Sequence, residues 1–321
     1  MKLTMNITTC AEDTLRYKDR SDLQAFFHGF GLDGLEVLEA GPDEQGLIHP
    51  DDVLGVHLRY YSGWMDLWTG NQTRLLQEFQ TPETWHSVYG GNDKQALIDA
   101  YRQNIRFANT LQPKYLVFHV SECTMEESMR RQYHYTDEEV CDAAIELLNA
   151  VVPEIEGEPW LLLENLWYSG LTMERPEIVQ RLLQGVRYSN VGVMLDTGHL
   201  MHTNCDLENA DQAMDYIHSI LNRYDSLDFI KGVHLHQSLS GRLAKELMAN
   251  WQPISGTYWD QLWSVMGNIF QIDTHRPFQS HRIHELFDRL TGLEYLCMEQ
   301  ISSCREEHAA NLATQVSYLK R

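Results

Sequence analysis

The six cysteines of this sequence form no recognisable pattern. Cys10, Cys123, Cys141, Cys205, Cys297 and Cys304 are scattered along 321 residues without a C-x-x-C pair. Disulfide-stabilised small domains and zinc ribbons need cysteines at close, regular spacings. The sequence therefore predicts neither kind of framework, and it favours a reducing, cytoplasmic setting.

Long apolar runs are also absent from the sequence. No run approaches the roughly 20 residues that a membrane-spanning helix needs. The first segment, MKLTMNITTCAEDTLRYKDR, has neither a long apolar stretch nor a small-residue cleavage site. We therefore expect no membrane association and no secretory signal, but a first strand that enters the fold directly.

Basic residues are outnumbered by acidic ones. The sequence has 25 Lys and Arg against 46 Asp and Glu, which gives a formal net charge of -21. Nonspecific binding to nucleic acids depends on clustered positive charge, and the sequence has no basic stripe. Nucleic acid is therefore not the expected partner. We expect a small-molecule substrate, and the oligomeric state stays open.

Short apolar runs alternate with amphipathic segments of helical length, which is typical of βα units around a parallel sheet. Eight runs are strand candidates: 2–8, 34–38, 54–60, 115–120, 160–165, 191–196, 230–236 and 295–299. The helical candidates include 94–111, 176–183 and 305–319. This pattern predicts an α/β fold, a (β/α)8 TIM barrel that forms one domain over residues 1–321.

Two connections are too long for simple loops. They follow strands 3 and 7, at 61–93 and 237–282, and carry Trp64, Trp68, Trp85, Trp251, Trp259 and Trp263. Loops after barrel strands rise at the C-terminal face, where active sites of barrels lie, and long loops there often act as lids. The tryptophans either contact substrate or pack the insertions down. Tyr60, Trp64 and Trp68 are the candidates for substrate contact.

Polar residues stand where apolar strands would otherwise continue. They are His57, His119, Glu164, Asp196, His234 and Glu299, on six successive strands. Burying one unpaired carboxylate costs several kcal/mol, and imidazole and carboxylate are natural ligands of divalent cations. One strand-end histidine is more often a hydrogen-bonded core residue, but the whole set predicts a metal site.

Two short motifs extend this set. In D-T-G-H, Asp196 leaves the strand, and Gly198 is expected to permit a tight turn that folds His199 back toward the same ion. In D-T-H, within the second long loop, alternation is expected to place Asp273 and His275 on one side of an extended segment.

Two further polar residues have open assignments. His236 alternates away from His234, so it either faces the helical layer or supports the ligands from behind, and it is also a candidate for substrate contact. Glu36, on the second strand, would either orient a ligand or pair with an arginine.

These residues resemble the xylose isomerase-like barrel superfamily, and most closely its endonuclease IV type. The strongest motif is DTGHLMHTNCDL, from Asp196 to Leu207, which is similar to the D-T-C-H segment of that type. H-L-R-Y at His57, V-F-H at His119, L-E-N at Glu164 and H-L-H-Q-S at His234 are similar to other motifs of that type. The resemblance covers most of the chain, from the first strand to Glu299.

The resemblance implies three metal ions, usually zinc, held by nine ligands. Their counterparts here are His57, His119, Glu164, Asp196, His199, His234, Asp273, His275 and Glu299. By this analogy, Glu164 bridges two ions and Glu299 lies near the attacking water. The acidic loop EAGPDEQGLIHPDD departs from the basic DNA-binding loops of that type and argues against DNA repair.

The leading hypothesis is a multinuclear, zinc-type hydrolase of a phosphoester or related small substrate, with Glu164 and Glu299 as catalytic residues. The alternative is a metal-dependent sugar (phosphate) isomerase or epimerase, which needs one ion and uses the same two acids as bases. Zinc is the expected metal, although manganese or iron suits these ligands. An iron-loaded oxidative enzyme and a non-catalytic binding barrel are less favoured.

Overall fold

Eight parallel strands close into a barrel in the computed structural model, which describes residues 1–320. They follow one another around the barrel in chain order, and the first pairs with the eighth. From first to eighth, they are Lys2–Thr8, Gly34–Leu38, Val53–His57, Tyr115–His119, Trp160–Glu164, Val191–Asp196, Ile230–His234 and Tyr295–Met298. The predicted TIM barrel is therefore confirmed, and the predicted strands differ from these only at their ends.

Helices connect the strands and cover the outside of the barrel. They are Ala11–Thr14, Arg20–Gly29, Trp64–Thr69, Gln72–Phe79, Pro82–Tyr89, Lys94–Leu111, Met125–Arg130, Asp137–Val151, Pro176–Gly185, Thr197–His202, Ala210–Leu221, Gly241–Asn250, Tyr258–Ile272, Ile283–Arg289 and Arg305–Leu319. The short strands Ser121–Glu122 and Ser169–Gly170 pair antiparallel after the fourth and fifth barrel strands. Among residues 1–320, no helix combines the length and the apolar composition that a membrane crossing requires.

The inside of the barrel is packed around Tyr115, which forms a buried cluster with Val117, Leu162 and Met194. Gly55 on the third strand makes room for the tyrosine ring, because a Cβ there would lie 2.2 Å from Cζ of Tyr115. Real Cβ atoms do not approach a ring this closely, so a larger residue would displace the tyrosine. This close approach holds the ring inside the barrel, where its hydroxyl reaches Oε2 of Glu36 at 2.8 Å.

The two long connections after the third and seventh strands contain helices, so they are not the plain loops that their lengths suggested. The first insertion folds into Trp64–Thr69, Gln72–Phe79 and Pro82–Tyr89, and the second into Gly241–Asn250 and Tyr258–Ile272. The two insertions contact each other through two aromatic rings. Phe79 ends a helix of the first insertion, Tyr258 begins a helix of the second, and their ring centroids lie 5.0 Å apart. Short helices that bury aromatic side chains therefore replace irregular backbone here.

Four carboxyl groups meet where the first insertion packs against the segment after the fourth strand. Arg74 pairs with Asp66 at 3.0 Å and with Glu127 at 2.9 Å. Glu78 accepts a hydrogen bond from the backbone N–H of Met125 at 2.8 Å. Burial, together with the charges of Glu127 and Asp66, raises the pKa of Glu78 to about 7. Burial raises the pKa of the fourth acid, Glu122, well above its ordinary value.

We expect Glu78→Gln to stabilise the protein in a pH-dependent way. A carboxyl group whose pKa is raised by folding contributes fully to stability only below its ordinary pKa of 4.5, and this contribution is lost as the pH rises through about 7. Glutamine keeps an acceptor for the Met125 N–H but never becomes charged. The stability advantage of the variant should therefore grow by about 1–3 kcal/mol between roughly pH 5 and pH 8.5. Urea unfolding at both pH values measures this, and an advantage that does not vary with pH would contradict it.

Candidate metal centre

Glu164 lies at the centre of the barrel mouth and is surrounded by imidazoles. It ends the fifth strand and is fully buried. Its Oε2 is 2.9 Å from Nε2 of His57 and 3.0 Å from Nε2 of His119, and its Oε1 is 3.1 Å from Nδ1 of His234. The C-terminal ends of parallel barrel strands meet at one face, which is why residues far apart in sequence converge here.

Asp196 and Glu299 complete the ring of groups around His234. Oε2 of Glu299 lies 3.0 Å from Nδ1 of His234, and Oδ2 of Asp196 lies 3.7 Å from the same nitrogen. Asp196 is fully buried, whereas the side chain of Glu299 is 14% exposed. The accessible edge of this cluster is therefore formed by Glu299 and by His119, whose side chain is also 14% exposed.

The D-T-G-H motif begins a short helix, so the predicted tight turn at Gly198 is wrong. Oδ1 of Asp196 accepts a hydrogen bond from the backbone N–H of His199 at 2.6 Å and caps the helix Thr197–His202. This helix still brings His199 back as predicted, with Nδ1 3.3 Å from Oε1 of Glu164. Gly198 matters for space instead, because a Cβ there would lie 2.0 Å from Cε1 of His236.

The D-T-H motif follows the helix Tyr258–Ile272 and places both its polar side chains together. Oδ2 of Asp273 is 2.8 Å from Nε2 of His275 and 3.3 Å from Nε2 of His199. The segment is not the extended strand that alternation suggested, because His275 has a left-handed backbone with φ of 44°. The hydroxyl of Ser238 donates a hydrogen bond of 3.0 Å to Oδ1 of Asp273 and fixes the motif beside the seventh strand.

Within residues 1–320, the nine predicted ligands fall into three groups whose donor atoms lie within 4.8 Å of one another. The first position comprises His57, His119 and Glu164; the second comprises Glu164, Asp196, His234 and Glu299; the third comprises His199, Asp273 and His275, together with His236. Glu164 belongs to the first and second positions. Two overlapping groups reuse His234, one with Glu36 and Cys297 and one with His57 and Glu299.

Several of these donors converge without forming hydrogen bonds to one another. Over the described residues 1–320, both ring nitrogens of His119 and Oε2 of Glu299 are buried without a hydrogen-bond partner, although Nε2 of His119 lies 3.0 Å from Oε2 of Glu164 and Oε2 of Glu299 lies 3.0 Å from Nδ1 of His234. Donors that aim at a common point suit a shared cation, and imidazole and carboxylate are donors that divalent metals accept. The residues present therefore fit a cluster of divalent metal ions.

The pKa values of two buried acids of the cluster, Glu164 and Asp273, are lowered by neighbouring imidazoles. Burial alone would raise the pKa of Glu164, but the adjacent His119 and His234 lower it well below its ordinary value. Burial likewise opposes the charge of Asp273, while His275 and His199 lower its pKa well below the usual range. The surroundings of Glu164 and Asp273 thus favour the carboxylate form, which is the form that binds a cation.

Side chains behind the ligands fix their orientation. Glu36 lies 3.0 Å from Nε2 of His234 and accepts a hydrogen bond of 2.8 Å from the hydroxyl of Tyr115, so it has the first of its two predicted roles. Asn165 and the backbone of Asp196 exchange two hydrogen bonds, of 3.0 and 2.9 Å. Such outer contacts set ring orientation and ligand basicity in metal sites.

The sequence did not reveal Tyr115, Asn165 or His202 as parts of this site. His202 is buried, and its Nε2 lies 3.6 Å from Oδ1 of Asp273. It stands three residues after His199, so the two share a helical face. That spacing carries the signal only once a helix is recognised, and the sequence predicted a turn there.

The predicted substrate contacts separate into two sets. Tyr60 lines a cavity of about 160 Å³ at the barrel mouth, together with His57, His119 and Glu299. Trp64 and Trp68 are not among the residues that line this cavity in the described part of the chain. Trp64 is buried and donates from Nε1 to the backbone oxygen of Ser121 at 2.9 Å, and the ring of Trp68 packs edge-on against it at 5.8 Å. These two tryptophans therefore pack the insertion against the barrel, and the structure does not give them the role of substrate contacts.

His236 turns toward the ligands and away from the helical layer. Its Nε2 lies 2.9 Å from Oδ2 of Asp196, and its ring stacks on that of His275 with 3.8 Å between centroids. The expectation that it faces the helical layer is wrong, because the space left by Gly198 admits the ring on the inner side. The alternative position, behind the ligands, is the observed one.

A comparison with protein families places this barrel. Residues 61–321 match the model of the family described as xylose isomerase-like TIM barrel. The chain belongs to this family. Its members share a fold, and the chemistry of each member resides in its own site.

Individual proteins resemble this chain at low identity or over a short stretch. A protein named "Probable endonuclease 4", from Halothermothrix orenii, is 32% identical over 105 residues, which are 30% of this chain and 35% of that protein. The match therefore spans about a third of the length of that relative. Among solved structures, a "Putative Xylose isomerase" from Rhodospirillum rubrum has a TM-score of 0.52 at 14% identity, covering 100% of this chain and 98% of that one. The structure described as AsfvAP:AG has a TM-score of 0.51 at 16% identity, covering 99% of both chains.

Proposed function

We propose that the protein is a metal-dependent hydrolase with a trinuclear, zinc-type centre, acting on a phosphoester or related small substrate. The proposal is supported above all by the presence of a third donor group. His199, Asp273 and His275 form a donor group separate from the two that share Glu164. A single-ion enzyme has no use for this additional group, in which the buried carboxylate of Asp273 lies between the imidazoles of His199 and His275 at a cost in desolvation.

Each position would take its ion from residues already close together. His57, His119 and Glu164 would hold the first ion, and Glu164, Asp196, His234 and Glu299 the second, so that Glu164 bridges the two. When bound, such ions lower the pKa of a water molecule and stabilise the attacking and leaving oxygens of a phosphoryl group. Zinc suits these imidazole and carboxylate donors, as do manganese and iron.

The residues of the chain would orient the reaction around the accessible edge of the cluster. Glu299, partly exposed and lining the cavity, would position the attacking water and hold its proton. Glu164 is fully buried and belongs to both the first and the second position, so it would fix the distance between them. Tyr60, which lines the cavity, lies with its ring 5.2 Å from that of His119 and would contact the substrate beside the first position.

Size and charge favour a compact substrate. The cavity of about 160 Å³ is small beside the roughly 300–1,000 Å³ of typical ligand pockets. A net charge of -21 disfavours a long polyanion such as duplex DNA, whose binding depends on positive charge. The match to the Halothermothrix orenii relative supports the hydrolytic chemistry, and we do not extend it to a DNA substrate.

A metal-dependent isomerase or epimerase of a sugar or sugar phosphate is the second candidate. The second position alone offers four protein donors, and its two glutamates, Glu164 and Glu299, lie 3.1 and 3.0 Å from the same nitrogen of His234. Two carboxylates at one ion could serve as bases on opposite faces of a substrate. This candidate leaves the first and third positions without a catalytic role.

Metal content of protein purified without added metal or chelator tests the proposal first. We expect about three ions per chain, turnover of an activated phosphodiester such as bis(p-nitrophenyl) phosphate, and no exchange of sugar C–H for solvent deuterium. One ion per chain, combined with deuterium exchange into a ketose panel, would reject the hydrolase in favour of the isomerase. Three ions without turnover across a broad phosphoester panel would reject the reaction class while leaving the metal centre.

A further inference from the structure

His236 is a buried donor of this centre that the nine-ligand set does not use. It is fully buried, two residues beyond the end of the seventh strand. One of its ring nitrogens lies within 4.8 Å of donor atoms of His199, Asp273 and His275, the third position. The group therefore contains four protein donors.

The ring of His236 has one nitrogen paired and one unpaired. Nε2 lies 2.9 Å from Oδ2 of Asp196, which as a carboxylate accepts the hydrogen bond. In the neutral ring, Nδ1 then carries no proton and keeps its lone pair. Within residues 1–320, this Nδ1 is buried without a hydrogen-bond partner. A histidine that donates one N–H to a carboxylate and offers the other nitrogen has the arrangement common among metal ligands.

Gly198 makes this position of the ring available. A Cβ at residue 198 would lie 2.0 Å from Cε1 and 2.3 Å from Nδ1 of His236, closer than any real Cβ approaches. Gly198 lies within the helix Thr197–His202, so no turn requires a glycine at this position. Its contribution is the space that admits the imidazole between Asp196 and His275.

We infer that His236 is a fourth protein donor to the third position, and that Gly198 and His236 act as a pair to supply it. The inference rests on the proposed metal centre and adds the role of the third ion. Three protein donors leave a coordination site for water or substrate, whereas four close a tetrahedral ion. The third ion would then have four protein donors that neither other position uses, so it is structural and retained most tightly. The second position also has four donors but shares Glu164 with the first, whose three donors leave a site open for the reacting groups.

Metal release separates this role from general damage. In the wild-type protein, we expect three ions per chain, of which one passes to the chromophoric chelator 4-(2-pyridylazo)resorcinol at least about tenfold more slowly than the others. His236→Asn and Gly198→Ala should both abolish this slow phase, the second because its Cβ displaces the ring. His308→Asn is the matched control, since His308 is also a buried imidazole but contacts Phe26 on the outer helix. It should keep the slow phase.

Cobalt substitution identifies which position His236 serves. The visible spectrum of Co²⁺-loaded His236→Asn should lose the bands that Asp273→Asn loses, because both remove a donor from the third position. Bands matching those lost in Asp196→Asn would overturn the inference, since His236 would then act only by orienting Asp196. Unchanged release from both His236→Asn and Gly198→Ala would overturn it as well, while three ions in the wild type would leave the proposed function intact. A wild-type protein with one ion would overturn both.

Discussion

Replacing Glu164 with glutamine is expected to remove about two of three metal ions and to lower turnover on the order of 10³-fold. Glu164 is the one ligand that the first and second positions share, and Oε1 and Oε2 each face a different set of imidazoles. Glutamine has the same shape but lacks the charge, and its amide nitrogen would face His57 or His234. The loss therefore affects both positions at once.

Elemental analysis and initial rates on the same preparation measure this effect. Glu122→Gln is the matched control, because Glu122 is also a buried glutamate and lies outside the donor groups found in residues 1–320. Burial raises the pKa of Glu122 well above its ordinary value, so replacing this carboxyl group with an uncharged amide removes less favourable charge than it would at Glu164. This control should keep its metal and its rate. Full metal content in Glu164→Gln would be incompatible with the bridging role.

The barrel was predictable because each of its strands carries its own local signal. Parallel strands are covered on both sides, so they appear in sequence as short apolar runs between helical segments. The run at 191–196 has the same bounds in the structure, Val191–Asp196. The run at 230–236 continues past the true strand end, because His234, Leu235 and His236 are as buried as the strand itself. The apolar pattern in the sequence indicates which residues are buried, and here the buried segment is longer than the segment that pairs with neighbouring strands.

The ligand candidates were predictable because barrel geometry converts a position along the chain into a position in space. A polar residue at the C-terminal end of any barrel strand must lie at the same mouth. His57 and Glu164 are 107 residues apart and 2.9 Å apart in space for this reason alone. Asp273 and His275 needed the family resemblance as well, since they follow a helix inside an insertion, where strand geometry gives no guidance.

The supporting residues escaped prediction because their signals are those of ordinary core residues. Tyr115 begins an apolar strand, and nothing local indicates that its hydroxyl reaches Glu36. The helices of the insertions are only six to fifteen residues long, at the lower end of what a periodic pattern can specify. Trp64 lies in such a helix, so its packing against Ser121 depends on a tertiary contact with no counterpart in the local sequence.

Asp273→Asn is expected to remove one ion per chain and to lower phosphoester turnover by about 10²-fold, the scale of losing one preorganised electrostatic contact. Asp273 contacts His275 at 2.8 Å and His199 at 3.3 Å, and it belongs to the third position alone. Its loss would leave the first and second ions in place. The smaller effect, compared with Glu164→Gln, follows from a change at one position instead of two.

This substitution decides between the two candidate functions, because the trinuclear hydrolase needs the carboxylate of Asp273 and the isomerase does not. An isomerase works with one ion at the second position, whose donors Asp273 does not contact in the structure of residues 1–320. Asparagine there would then change neither its rate nor its metal content. In a trinuclear hydrolase, the imidazoles of His199 and His275 would lose the charge that Asp273 places between them, and the nearby ions would lose a shared electrostatic support. Metal content and turnover should therefore fall together, and a fall in turnover with all ions retained would indicate that Asp273 acts on the substrate and not on a metal.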